Sequence, residues 1–127
     1  MSLLEIGNFL LHSGNRSYFR INCNCLTDSD LEAAALILSL RLPKFEEVVT
    51  VSTGGNRLAK CLEKYAVPVQ TGMLPTLLVD DVYTTGTSLI RARYKVNGKV
   101  LGAVLFARTK PFAWVIPLFQ LSQETET

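Results

Sequence analysis

The passage that most restricts this chain runs from Thr76 to Ser88, TLLVDDVYTTGTS. Leu77-Leu78-Val79 is apolar at every position, which suits a strand covered on both faces and so a sheet flanked by helices. The run enters Asp80-Asp81, two of the four aspartates in the chain. Adjacent carboxylates at the end of a buried strand repel each other and lose solvation, so they need a compensating partner: hydroxyl donors, a cation, or both. A ribose diol supplies two such donors. Just beyond, Thr84, Thr85, Gly86, Thr87 and Ser88 gather hydroxyls and backbone N–H groups at a helix start, a cradle for a phosphate dianion. Strand, acid pair and hydroxyl-rich helix start, in that order, describe a ribose 5-phosphate site. The plainer alternative is a pair of solvated strand-end charges followed by an N-cap, and the order of the features weighs against it.

The remaining chain predicts the frame. Thr27-Asp28-Ser29-Asp30 offers N-cap oxygens, and 31–42 carries apolar residues at helical spacing until Pro43 stops it. Residues 45–51 form a β-branched strand that ends in Ser52-Thr53-Gly54-Gly55. An amphipathic helix follows over 56–65, and Val67-Pro68-Val69 reads as an edge strand because its proline cannot donate to a ladder. After the strand at 77–79, residues 82–88 read as a loop and 89–96 as a helix closed by Asn97-Gly98. A strand over 100–107 and a last one through Trp114-Val115-Ile116 and Leu118-Phe119 complete an α/β arrangement with a mainly parallel, Rossmann-like sheet. Near the start, the polar turn 12–17 followed by extended 18–22 marks a hairpin or arm. With 127 residues and 14.1 kDa, one domain is expected over 1–127: an arm or reduced hood at 1–26, a core at 27–121 and a frayed tail at 122–127.

Composition narrows the partners. Apolar residues make up 48% and charged residues 19%, enough to fill a core and to exclude general disorder. Thirteen Lys and Arg against eleven Asp and Glu leave a scattered net charge of +2, which supports neither a nucleic-acid nor a membrane-surface partner. MSLLEIGNFL lacks the basic start and cleavage site of a secretory leader, and no apolar run has the length of a membrane span. Cys23, Cys25 and Cys61 are odd in number and lack zinc-ligand spacing, so free or buried thiols in a reducing cytoplasm are expected.

A second loop ends the strand at 45–51. In Ser52-Thr53-Gly54-Gly55-Asn56-Arg57, paired glycines would let backbone N–H groups approach an anion at a helix start, and Arg57 adds positive charge. From this loop alone an ordinary strand-to-helix turn is the commoner reading, since short Gly-rich turns are frequent. If exposed, the loop should tolerate a side chain at Gly55 better in folding than in binding. Trp114, the single tryptophan, is either a core residue or a base-stacking one. His12, the single histidine, is either a surface residue or a phosphate or base contact.

TLLVDDVYTTGTS closely resembles the 5-phosphoribosyl diphosphate (PRPP) signature of type I phosphoribosyltransferases. That resemblance implies a parallel sheet flanked by helices with a hood over the base. It makes Asp80 and Asp81 the ligands of the ribose hydroxyls and 84–88 the 5-phosphate loop. Ser52-Thr53-Gly54-Gly55-Asn56-Arg57-Leu58-Ala59 is similar to the family's diphosphate loop, which often holds a cis peptide; Thr53, Gly54, Gly55, Asn56 and Arg57 would then receive the diphosphate. Leu11-His12-Ser13-Gly14-Asn15-Arg16-Ser17-Tyr18-Phe19 resembles the arm of orotate phosphoribosyltransferases that covers the base near a dimer partner. His12, Tyr18 and Phe19, with Arg108 in the place of an orotate-binding arginine, become the base-binding set. The chain departs from that subfamily in three places. His12 stands for a usual lysine, Gly54 replaces a lysine, and only 66–74 occupies the stretch where orotate enzymes carry a long mobile loop with a catalytic lysine.

The resemblance thus implies transfer of a 5-phosphoribosyl group between diphosphate and a nitrogen base, including a pyrimidine such as orotate. Mg2+ would be held by substrate and water rather than by the protein. A homodimer is implied, and aromatics at 18–19 after a polar turn fit a partner surface. The alternative is a non-catalytic regulatory protein of the same fold that binds PRPP or a nucleotide.

Overall fold

A computed structural model describes residues 3–10, 16–68 and 71–121. Strands β1 (Leu4–Leu10) and β2 (Arg16–Ile21) pair antiparallel, with Glu5 opposite Arg20, and the guanidinium of Arg20 donates to the Glu5 carboxylate at 3.1 and 3.2 Å. This hairpin is the arm. A 3-10 turn, Cys23–Cys25, leads from it into helix α1, Asp28–Arg41. The helix starts there because Thr27 Oγ1 accepts from the Asp30 N–H at 3.1 Å while the Asp30 carboxylate accepts from the Thr27 N–H at 2.9 Å, a reciprocal capping box. It stops at Arg41, since the residue before Pro43 is pushed out of the helical region.

The main sheet has four parallel strands in the order β3-β4-β5-β6. These are β3 (Glu47–Thr50), β4 (Thr76–Tyr83), β5 (Val100–Ala107) and β6 (Val115–Gln120). Helix α2, Asn56–Leu62, continues as a 3-10 turn, Glu63–Tyr65, and α3 spans Thr87–Tyr94. One face of the sheet is covered by α1 and α2. Leu31, Ala35, Leu38, Leu58 and Leu62 pack there on Leu77, Val79, Ala103 and Leu105. The other face is covered by α3, with Leu89 on Leu78, Val104 and Val115. Both faces of β4 are therefore dry, as its uninterrupted apolar run predicts.

The sheet departs from expectation at three points. First, β4 does not stop at Val79: Asp80, Val82 and Tyr83 stay in register with Val104, Phe106 and Ala107, so the acid pair belongs to the strand and the loop begins at Thr84. Second, α3 starts at Thr87, placing Thr87 and Ser88 in its first turn. Third, Val67 and Pro68 lie outside any strand. Val67 donates one backbone hydrogen bond, to Phe45 at 2.9 Å, and Pro68 has no N–H with which to extend a ladder; Val69 lies outside the described residues.

The β5–β6 connection is unusual in another way. Parallel strands are ordinarily joined through a helix, yet here seven residues, 108–114, return the chain far enough to pair Gly102 with Val115. These residues run over the α3 face, where Phe112 and Trp114 pack against the Leu78–Val104 cluster.

Candidate functional site

The carboxyl ends of β3, β4 and β5 converge, which is where open parallel sheets bind ligands. Asp80 is 7% exposed. Its Oδ1 accepts from Ser52 Oγ at 2.5 Å and from the Asp81 N–H at 2.8 Å. Burial, and next the neighbouring Asp81 side chain, push the Asp80 carboxyl up to about 6, with the Ser52 hydroxyl opposing them. The physical cause is a charge removed from water beside a second carboxylate.

Asp81 is half-buried and leans on the diphosphate-loop candidate: a Cβ at Gly54 would run into its Oδ2. The acid pair therefore ties the end of β4 to the end of β3. Cys23, from the turn after the arm, also lies within this field. Burial, followed by the charges of Asp81 and Asp80, raises its thiol to about 12, so it stays protonated and a poor nucleophile.

The loop after β4 is fastened from outside. Tyr83 C=O accepts from the Arg108 N–H at 2.8 Å, and Thr84 C=O accepts from Thr109 Oγ1 at 2.6 Å. Gly86, with φ +79°, turns the chain into α3 and its C=O accepts from the Ile90 N–H at 3.0 Å. Only glycine takes that conformation without strain. The hydroxyls of Thr85 and Thr87 lie 2.9 Å apart, and Thr85, Thr87 and Ser88 are exposed at the mouth. Thr85, Thr87 and Ser88 thus form a polar rim at a helix N-terminus, with Gly86 buried beneath it.

In the loop after β3, Ser52 is extended and Thr53–Gly55 form a 3-10 turn leading into Asn56 at the start of α2. Thr53, Gly54 and Asn56 are exposed, but Gly55 is buried. A Cβ there would sit 2.9 Å from Val79 O and 3.0 Å from Asp80 Cα. The expectation of an exposed, fold-neutral Gly55 is therefore corrected: the glycine is needed for β4 to pass. None of the described peptide bonds is cis. Arg57 donates to Leu26 O and to Asp28 Oδ1, both at 3.0 Å, so its guanidinium holds the start of α1 to α2.

Arg108 is half-buried at the carboxyl end of β5, and burial lowers its pKa. Tyr18 and Phe19 lie on β2, and His12 falls outside the described residues. Trp114 packs as a core residue does, its ring stacked on Phe112 at 5.6 Å and covered by the Arg93 guanidinium at 5.1 Å. Cys23, Cys25 and Cys61 are free thiols. Sequence reasoning missed Ser52 as the partner of Asp80, Cys23 beside the pair, and Thr109 and Phe112 behind the loop. Ser52 carried a signal in adjoining the glycine turn; the others are distant in sequence from what they touch.

At the opposite, amino end of the sheet lies an open cavity of about 400 Å³ bordered by Glu46, Thr71, Gly72 and Asn97. The Glu46 carboxylate accepts from the N–H groups of Thr71, Gly72 and Leu74 at 3.0, 2.9 and 3.2 Å, and from the Thr71 hydroxyl. The α2–β4 connection is thereby pinned at the end of the sheet away from the acid pair. Among the described residues, no helix is long and apolar enough to cross a membrane.

No protein-family model matches the chain, and no curated protein sequence matches it. Solved structures do. The orotate phosphoribosyltransferase of Aeropyrum pernix superposes with a TM-score of 0.69 at 23% identity, over 94% of this chain and 88% of that one. The UMP synthase of Leishmania donovani gives 0.63 at 19% identity over 84% of this chain, which spans 29% of that longer protein. Orotate phosphoribosyltransferase of Francisella tularensis gives 0.56 at 21%, over 84% and 66% of the two chains. At these identities the likeness is one of fold: the chain has the type I, orotate phosphoribosyltransferase-like fold, as its motifs imply.

Proposed function

We propose that the protein transfers a 5-phosphoribosyl group between diphosphate and a nitrogen base, with a pyrimidine such as orotate among the candidates. The observation that carries this reading is the buried Asp80, bonded to Ser52 and set between the loop opening α2 and the loop opening α3. Substitution at the anomeric carbon passes through an oxocarbenium-like state, so a protein must hold the ribose, accommodate the departing diphosphate and limit water. Asp80 and Asp81 would accept the two ribose hydroxyls and favour positive charge on the ring. Residues 84–88 would hold the 5-phosphate, and Thr53, Gly54 and Asn56 would face the diphosphate. Arg57, whose Nη2 is engaged by Leu26 O and Asp28, would add its remaining donors to them. Arg108 would meet the base from the end of β5, with His12, Tyr18 and Phe19 of the arm.

Asp80 and Asp81 supply hard carboxylate oxygens, a donor set that suits a cation arriving with the substrate. Magnesium bound by diphosphate and water, next to Asp80 and Asp81, would supply neutralisation of the leaving group's charge. A cytoplasmic setting suits the three free thiols.

Incubation with PRPP, magnesium and a panel of purine and pyrimidine bases, read by nucleotide formation and diphosphate release, tests the proposal. Nucleotide from at least one base is expected, at a turnover below the enzyme median of about 10 s⁻¹. Absence of PRPP binding would sink it. One observation favours the second reading, a non-catalytic sensor of a phosphoribosyl compound: in the short α2–β4 connection, Thr71, Gly72 and Leu74 are pinned by Glu46 at the end of the sheet away from the site. Tight PRPP binding with no product from any base would select that reading.

The protein is also proposed to be a homodimer. The outer stripe of α1 leaves Leu36, Ile37 and Leu40 exposed by 48, 40 and 79%, more apolar surface than a helix in water ordinarily presents. Sedimentation at micromolar concentration should give twice 14.1 kDa; a monomer would refute it.

A further inference from the structure

Behind the loop 84–88, on the side away from its polar rim, Phe112 and Trp114 of the short β5–β6 return stand in a row of side chains between Arg93 of α3 and Tyr83 of β4. The Arg93 guanidinium covers Trp114, Trp114 stacks on Phe112 with a 10° angle between rings, and Phe112 meets the Tyr83 ring edge-on at 5.7 Å. The row ends on Gly86: a Cβ there would lie 2.5 Å from Phe112 Cε2 and 2.7 Å from Tyr83 Oη. Burial raises the pKa of the Tyr83 hydroxyl, and the Phe112 backbone opposes that rise. Three residues earlier, Thr109 Oγ1 donates to Thr84 O, and the Arg108 N–H donates to Tyr83 O. The return therefore grips the loop at its first residue, at its positive-φ glycine and at the strand end that feeds it.

We propose that the 108–114 return sets the shape of the 5-phosphate loop, with Thr109 and Phe112 as positioning residues that never touch the ligand. A loop whose donors must converge on one anion binds best when its backbone is already held in the binding conformation. Arg108 begins the same seven-residue segment, so the group placed toward the base and the support behind the phosphate share one short piece of chain. The inference rests on the reading of 84–88 as a phosphomonoester site. It adds that the site's affinity is decided partly from behind, and that Trp114, two side chains from Gly86 in the stacked row, senses its occupancy.

Ribose 5-phosphate and magnesium diphosphate are separate probes of the two loops, each measured by calorimetry and by Trp114 emission. In the unaltered protein, ribose 5-phosphate should shift the emission and diphosphate should not. Thr109→Val keeps the shape of the side chain and removes its hydroxyl. Phe112→Leu keeps an apolar filler and removes the ring. Each should weaken ribose 5-phosphate by about three- to tenfold, in line with losing one hydrogen bond or one aromatic pair, with diphosphate affinity held within about twofold. Phe112→Leu should also abolish the emission response. A purely structural role would lower both affinities together, and that result, no loss for ribose 5-phosphate, or an unmoved emission in the unaltered protein on binding, overturns the inference. Failure of the unaltered protein to bind ribose 5-phosphate would instead remove the reading of the loop, and the inference with it.

Discussion

Replacing Asp80 by Asn should make the empty protein more stable while weakening its ligand. The carboxyl is buried, its second neighbour is another carboxylate, and its pKa stands near 6 against an ordinary 3.8. Between those values the folded state holds a proton that the unfolded chain has released, so stability falls as pH rises through the window. Below about pH 4 the penalty is absent, and above about pH 6 it is complete. A difference of about two pH units at about 1.4 kcal/mol each amounts to about 3 kcal/mol. Asn keeps the acceptor that Ser52 and the Asp81 N–H use, removes the charge, and adds an N–H₂ that can face Asp81. Urea titrations of the unliganded protein should give Asp80→Asn an advantage approaching 3 kcal/mol at pH 7.5, about 10 °C in Tm for a domain of this size, shrinking toward zero near pH 4. Calorimetry with PRPP and magnesium should show weaker binding, since one of the proposed acceptors for the ribose hydroxyls has lost its charge. A variant no more stable than the parent at pH 7.5, or equally favoured at both pH values, would refute the claim that Asp80 is held against its own solvation for the ligand.

Glu46→Gln should act in the opposite sense. The Thr71 hydroxyl and the backbone N–H groups of Gly72, Thr71 and Leu74 hold the Glu46 carboxyl down to about 2, so its stabilisation is complete above the ordinary carboxylate range and is lost as pH falls toward 2. Thermal melts should show the variant clearly less stable at pH 7, with the gap closing between about pH 4.5 and 2; a constant gap would contradict the carboxylate's role. The two glycines after β3 should separate. Gly55→Val drives a side chain into Val79 O and Asp80 Cα and should cost about 1–3 kcal/mol or more of stability, measured by urea titration. Gly54→Ala meets the movable Asp81 carboxylate first and should weaken PRPP binding with little change in Tm; the reverse ranking would refute the assignment of the two contacts.

Much of this protein is legible in local sequence because the physics there is local. The Thr27–Asp30 capping box, the stop before Pro43, and the apolar run of β4 flanked by turn residues each need only a few neighbouring residues to act. From them follow the element order, the parallel sheet and the placing of two polar loops at one end of it. What local pattern could not reach was set by groups meeting across 25 to 30 positions, as in Ser52 with Asp80, Thr84 with Thr109, Glu46 with Thr71 and Arg57 with Asp28. A glycine pair reads as freedom to approach an anion, but only the packed sheet shows that Gly55 is required by the backbone of β4 and Gly54 by the carboxylate of Asp81. In the same way 108–113 carries no local pattern beyond that of a connection between two strands. The position of 108–114 over the α3 face, and its hold on the loop at 84–88, arise because the register of β5 with β6 leaves the chain no room to form a helix.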